Sequence, residues 1–70
     1  MTNNDSLQFF LRLIKQKHLS VRERGDSLLK ALAGEDPNAK KNAATAMLQA
    51  ANDLSAVLAM ATYLLGFLMS

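Results

Sequence analysis

The chain has 70 residues, half of them apolar and a fifth charged, with one Pro and three Gly. This composition is too apolar for a disordered segment, and the length allows one small domain but not a multidomain enzyme. Because the sequence contains no Cys, it excludes a disulfide scaffold and a thiolate zinc module, and it favours a reducing, cytoplasmic location.

The first predicted element is an amphipathic helix over about residues 5–33. Charged and polar side chains occupy one side of it. Ser20 and Glu23 have the spacing of a capping box in the middle of this segment, so a break near Leu19, giving three helices in all, is the alternative to one continuous helix. Apolar side chains recur at helical spacing along the expected core face, which comprises Leu7, Phe10, Leu11, Ile14, His18, Val21, Gly25, Leu28 and Leu32.

The strongest break in the sequence is Gly34-Glu35-Asp36-Pro37. Glycine suits the left-handed position that follows a helix end, aspartate suits the N-cap, and proline suits the first helical position. We therefore predict a turn over residues 34–37 and a second helix over about residues 37–69. Such a short connection implies antiparallel neighbours, so the predicted fold is all-α: an antiparallel helical hairpin that forms a single domain.

The second helix is expected to have more apolar surface than one partner helix can cover. From Leu54 onward it is apolar nearly all round, because Ala56, Met60, Tyr63 and Phe67 lie opposite the core face. A helix of this kind must bury its second face as well. Its expected core face comprises Met47, Ala50, Ala51, Leu54, Leu58, Ala61, Leu65 and Leu68.

Three occupants are candidates for that second face. The first is another copy of the chain, giving a dimeric helical bundle, and this is the interpretation we favour. The second is a different protein that offers a helix or a groove. The third is lipid, since residues 54–70 carry no charge and approach the length of a membrane-spanning helix.

The sequence predicts no enzyme, no cofactor and no metal site. His18 is the only histidine, and we expect it to pack on the core face, with a pH-sensitive contact as the alternative. Glu35 and Asp36 are explained by the turn. Asp53 lies alone in the apolar helix, either on its solvated edge or paired with a basic residue of the first helix or of a second subunit.

A protein-binding surface is the predicted functional feature. An antiparallel hairpin brings the start of the first helix close to the end of the second, so apolar residues from both ends can form one patch. We expect Phe9, Leu13, Met60, Tyr63 and Phe67 to anchor a partner there. Arg12, Lys15 and Lys17 are expected to steer it towards an acidic surface.

These features indicate a small regulator that docks on another protein and occludes or stabilises it. The layout is similar to that of small bacterial and phage proteins such as antirepressors, antagonists that bind activators, and type III secretion-like co-chaperones. That likeness is one of size and architecture. A small membrane-associated peptide and a weakly nucleic-acid-binding helical dimer are the alternatives. The net charge of +2 is low for a dedicated nucleic-acid binder.

Overall fold

The computed structural model describes residues 3–69, which form two helices joined by a short turn. The first helix, α1, spans Asn3–Ala33, and the second, α2, spans Pro37–Met69. No strand occurs within the described range. The two helices pack against each other along their length, so the predicted all-α helical hairpin is confirmed.

Helix α1 is continuous, and the alternative break near Leu19 is wrong. Ser20 lies in the middle of the 31-residue helix and is half-buried. A capping box stabilises a helix start by satisfying backbone N–H groups that have no partner. Inside a continuous helix those groups already donate to the preceding turn, so the sequence pattern at Ser20 has no free donors to cap.

The turn confirms the predicted helix boundary but not the predicted glycine conformation. The side chain of Asp36 accepts a hydrogen bond from the backbone N–H of Asn38 at 3.0 Å, so Asp36 is the N-cap of α2. No glycine of the described chain has a positive φ. Instead of a left-handed Gly34, α1 ends with a hydrogen bond from the Gly34 N–H to the Ala31 carbonyl at 3.1 Å.

The interface between the helices follows a seven-residue repeat. In α2 the seam consists of Lys40, Ala43, Met47, Ala50, Leu54, Val57, Ala61 and Leu64, all of them buried or half-buried. In α1 it runs through Leu7, Phe10, Ile14, Lys17, Val21, Arg24, Leu28 and Ala31. Alternating steps of three and four residues are the pattern of a coiled-coil pair. The small residues Ala50 and Ala61 are each only 2% exposed, so they lie where the two helices approach most closely.

The seam is rotated relative to the predicted core faces. Leu11, His18 and Leu32 of α1 are exposed, as are Ala51, Leu58, Leu65 and Leu68 of α2. The prediction assumed an ideal helical period, which drifts by about 20° per heptad from the repeat that keeps two helices in contact. Rotation towards Lys17 and Arg24 also allows both side chains to make polar contacts across the hairpin.

Two polar contacts cross the hairpin and indicate the register of its helices. The ammonium of Lys17 lies 3.7 Å from the Asp53 carboxylate, and the Arg24 guanidinium donates to the Ala46 carbonyl at 3.0 Å. Asp53 therefore pairs with a basic residue of the first helix, as one of the two interpretations proposed. It also remains solvated, with 58% of its side chain exposed. Such a pair contributes roughly 0.2–1 kcal/mol.

The hairpin is long and thin. Its extents are 51 × 17 × 14 Å and its radius of gyration is 15.8 Å, whereas a compact chain of this length has a radius of about 11 Å. Two helices side by side enclose little volume. Most large apolar side chains of the described chain therefore remain partly exposed.

Candidate protein-interaction surfaces

The predicted anchor residues occupy one side of the hairpin, at the end away from the turn. We call Phe9, Leu13, Met60, Tyr63 and Phe67 the aromatic surface. Leu13 is half-buried against α2, while Phe9, Met60, Tyr63 and Phe67 are 56%, 46%, 64% and 51% exposed. Their heptad positions place all five on the side where Lys17 meets Asp53.

Two pairs of rings support the aromatic surface. Phe9 lies edge-to-face against Phe10, with ring centroids 5.2 Å apart. Tyr63 lies edge-to-face against Phe67, with centroids 5.0 Å apart. Such pairs contribute about 0.5–1.5 kcal/mol each. They also limit ring rotation, so a partner would meet side chains that are already ordered.

Shallow grooves lie on either side of Tyr63. One is lined by Ala56, Ala59, Met60 and Tyr63. The other is lined by Thr62, Tyr63, Gly66 and Phe67. A Cβ built on Gly66 would meet no atom within 4 Å. The absence of a side chain at Gly66 thus leaves room for a partner's apolar group beside the Tyr63 ring.

The three predicted steering residues do not form a single patch. Arg12 is exposed and lies one helical turn after Phe9, at the edge of the aromatic surface. Lys17 is engaged by Asp53. Lys15 lies one helical turn after Arg12, and the two line a shallow groove together with Gln8 and Leu11. Only Arg12 is therefore both close to the aromatic surface and outside the pair with Asp53.

A second apolar surface covers the other side of the hairpin, the side on which Gly25 faces Met47. Its leucines expose between 38% and 67% of their surface. Four of these leucines, Leu11, Leu32, Leu58 and Leu65, belong to the core faces predicted from the sequence, so the sequence pattern gives no sign of this exposed surface. We call it the leucine face; it consists of Leu11, Leu29, Leu32, Leu48, Leu58 and Leu65, with His18, Gly25, Ala44 and Ala51 between them.

His18 belongs to the leucine face rather than to the hairpin core. It is exposed, because the neighbouring Lys17 occupies the seam position instead. The register of the hairpin places His18 at the level of Ala51, near the middle of both helices. It is the only histidine, and no group of three or more metal-ligating side chains occurs among the residues that the structure describes.

Helix α2 also meets the length and composition of a membrane-spanning helix. Its most apolar window has a mean hydropathy of 1.4, and only 11% of that window is buried inside the hairpin. The exposed apolar surface of α2 is consistent with contacts to protein or to lipid.

Comparison with known proteins identifies no relative. No protein-family model matches the chain, and no curated protein or solved structure matches it with significant similarity.

Proposed function

We propose that this chain is a non-enzymatic protein-binding regulator that docks its aromatic surface on a partner protein and thereby occludes or stabilises it. The observation that carries this proposal is the exposure of Phe9, Met60, Tyr63 and Phe67 on one side of the hairpin. Aromatic side chains on well-packed surfaces are the residues that most often dominate binding energy. Antirepressors, activator antagonists and secretion co-chaperones are functions of this class.

The grooves beside Tyr63 favour an apolar partner helix. An amphipathic helix inserts side chains at spacings of three and four residues into a groove, and Tyr63 separates two such depressions along α2. Arg12 at the edge of the surface would contribute to the association rate with an acidic partner. The contribution of Lys17 is smaller, because Asp53 already neutralises it.

The test is the double variant Tyr63→Ala/Phe67→Ala. Both side chains are more than half exposed, so helicity measured by circular dichroism should survive. Loss of two aromatic anchors at about 2 kcal/mol each would weaken binding by two to three orders of magnitude. A tagged chain used for affinity capture from its host should lose its bound protein in the double variant.

Leu19→Ala is the matched control for that experiment. Leu19 is 53% exposed, similar to Phe67, but lies on the outer side of α1. The control should retain the captured protein. If the double variant captures the same protein in the same amount as the control, the aromatic surface is not the binding site.

Association with a membrane surface is the second candidate, favoured by the apolar and exposed α2. Flotation of the chain with phospholipid vesicles tests it directly. A chain that floats with vesicles and captures no protein would support lipid binding and contradict the first proposal.

A further inference from the structure

We infer that the leucine face is covered by a second copy of this chain, with the two hairpins packed face to face and their turns at opposite ends. This inference concerns the side of the hairpin away from the aromatic surface, so it is independent of the proposed partner. The twofold axis lies in the interface, perpendicular to the helices, and passes close to His18 and Ala51. Each α1 then packs on the α1 of the second copy, and each α2 on its α2.

The size of the leucine face matches what a dimer needs. A side of the hairpin measuring 51 by 17 Å has an area of roughly 850 Å², and a stable interface of standard size takes about 800 Å² from each partner. The six leucines on this side expose between 38% and 67% of their surface. A single partner helix would cover only part of a face to which both helices contribute.

The order of large and small residues along the face is complementary to itself. The contact between Lys17 and Asp53 indicates the register, which places Leu11 within one residue of the level of Leu58 and Gly25 within one residue of the level of Ala44. A twofold rotation through the middle of the hairpin brings Leu11 opposite Gly25 of the second copy. The same rotation brings Leu58 opposite Ala44 of the second copy.

This pairing gives the proposed interface an even thickness. The two levels on either side of the axis each hold Leu11 and Leu58 from one copy and Gly25 and Ala44 from the other, and the central level holds two histidines and two alanines. Protein interiors are packed at nearly constant density, which requires large residues to face small ones. If both turns lay at the same end, Leu11 and Leu58 of the two copies would stack as four leucines at one level. Gly25 and Ala44 of the two copies would meet at another level and leave a void between the hairpins.

The charges around the face distinguish this dimer from binding to an anionic surface. Lys15, Arg22 and Lys41 border the leucine face, which contains no carboxylate within the described residues. In the dimer Lys15 reaches the level of Arg22 of the second copy. Salt screens repulsion between such exposed charges, so the dimer should tighten between 50 mM and 500 mM salt. Binding to nucleic acid or to anionic lipid would weaken over that range.

A size-swap experiment tests the pairing of Leu11 with Gly25. A Cβ at Gly25 would meet only the Met47 sulfur within 4 Å, at an ordinary 3.9 Å, so the backbone accepts a side chain here, and the helicity of Gly25→Leu shows whether the single hairpin still forms. We expect G25L to raise the dimer dissociation constant at least tenfold in sedimentation equilibrium, because two leucines then collide across the interface. The double variant L11A/G25L exchanges the large and small positions and should recover most of the lost affinity.

Controls separate dimer formation from folding. Helicity of each variant is measured by circular dichroism, and Leu19→Ala on the outer side of α1 should leave the dissociation constant unchanged. If L11A/G25L dimerises no more tightly than G25L, the proposed pairing of Leu11 with Gly25 of the second copy is wrong. A wild-type chain that stays monomeric at 100 μM but binds vesicles of anionic phospholipid would overturn the dimer.

The orientation is tested by one distance. Because the sequence has no Cys, Glu35→Cys carries a single spin label in the exposed turn of each copy. The two labels should lie about 50 Å apart, close to the 51 Å length of the hairpin. Turns at the same end would bring the labels within about 20 Å, given the usual spacing of packed helices, and would contradict the arrangement.

Discussion

The two halves of the hairpin differ in how they are held together. The half near the turn, residues 15–53, carries every charged side chain of the described chain except Asp5 and Arg12. It has the N-cap at Asp36 and the two polar contacts between the helices. The half away from the turn, residues 3–14 and 54–69, contains the residues of the aromatic surface and Met69, which at 85% is the most exposed large apolar residue of the described chain.

The half near the turn therefore carries the contacts that specify the hairpin, whereas the half away from it carries the aromatic surface that we propose as a docking site. Capping and directional polar contacts fix the register near the turn. The seam between the helices in the other half is formed by apolar side chains such as Leu7, Val57 and Ala61, and apolar attraction has little directionality. The half away from the turn therefore provides exposed apolar surface area, on the aromatic surface and on part of the leucine face. It contributes less to the alignment of the two helices. Four substitutions test this division between the halves.

A charge placed in the seam should unfold both halves together. Ala50 is only 2% exposed, so Ala50→Asp would bury a carboxylate without a partner, at a cost of several kcal/mol. We expect the helical signal in circular dichroism to be largely lost. The control Asn52→Asp adds the same charge at an exposed position, and it should keep its helicity.

Loss of the N-cap should affect mainly the half near the turn. Asp36→Ala removes the acceptor of the Asn38 N–H bond and should cost about 1 kcal/mol of stability. Hydrogen exchange should accelerate most in the first turns of α2. Asp36→Asn retains a side-chain acceptor and should behave nearly as wild type. Equal acceleration in residues 54–69 would contradict the division between the halves.

Filling the groove beside Tyr63 should separate binding from stability. Gly66→Ala introduces a Cβ into open space and replaces a poor helix former, which should stabilise α2 by about 0.5 kcal/mol near its end. The same methyl group narrows the groove between Tyr63 and Phe67, so affinity for a partner helix should fall. The melting temperature should therefore rise while the affinity measured in a binding titration falls. An unchanged affinity would show that this groove takes no part in binding.

The ion pair across the hairpin should make the smallest contribution. Asp53→Asn removes the charge that faces Lys17 at 3.7 Å, and a largely exposed pair is worth roughly 0.2–1 kcal/mol. Urea denaturation at low salt should show a loss of this size, and high salt should reduce it. A much larger loss would mean that Asp53 specifies the register more strongly than its exposure indicates.

The sequence predicted the elements of the fold well because their signals are local. Asp36 and Pro37 mark the start of α2 by capping chemistry alone, and the predicted hairpin followed from the short turn. The placement of Phe9, Tyr63 and Phe67 at the same end of the hairpin follows from antiparallel helices alone, and their joining into one docking patch stays a prediction. The helix boundary and the turn depend on residues that lie within a few positions of one another in the sequence.

The rotation of each helix was not predictable from its own apolar pattern. Leu11 and Leu58 fit an ideal helical stripe, yet they lie on the leucine face because the seam instead includes Lys17 and Val57. Both helices carry more apolar residues than one interface can bury. The choice among apolar faces is then made by small residues and by long-range contacts such as Lys17 with Asp53, which no local pattern contains.

Sedimentation equilibrium of the wild-type chain over a range of concentrations is the most direct test of the claim that the hairpin leaves a face for a second copy. The account predicts a concentration-dependent mass that approaches twice the 7.6 kDa of one chain and a dissociation constant that decreases as salt increases. A mass that remains that of a single chain at 100 μM, in both low and high salt, would contradict it.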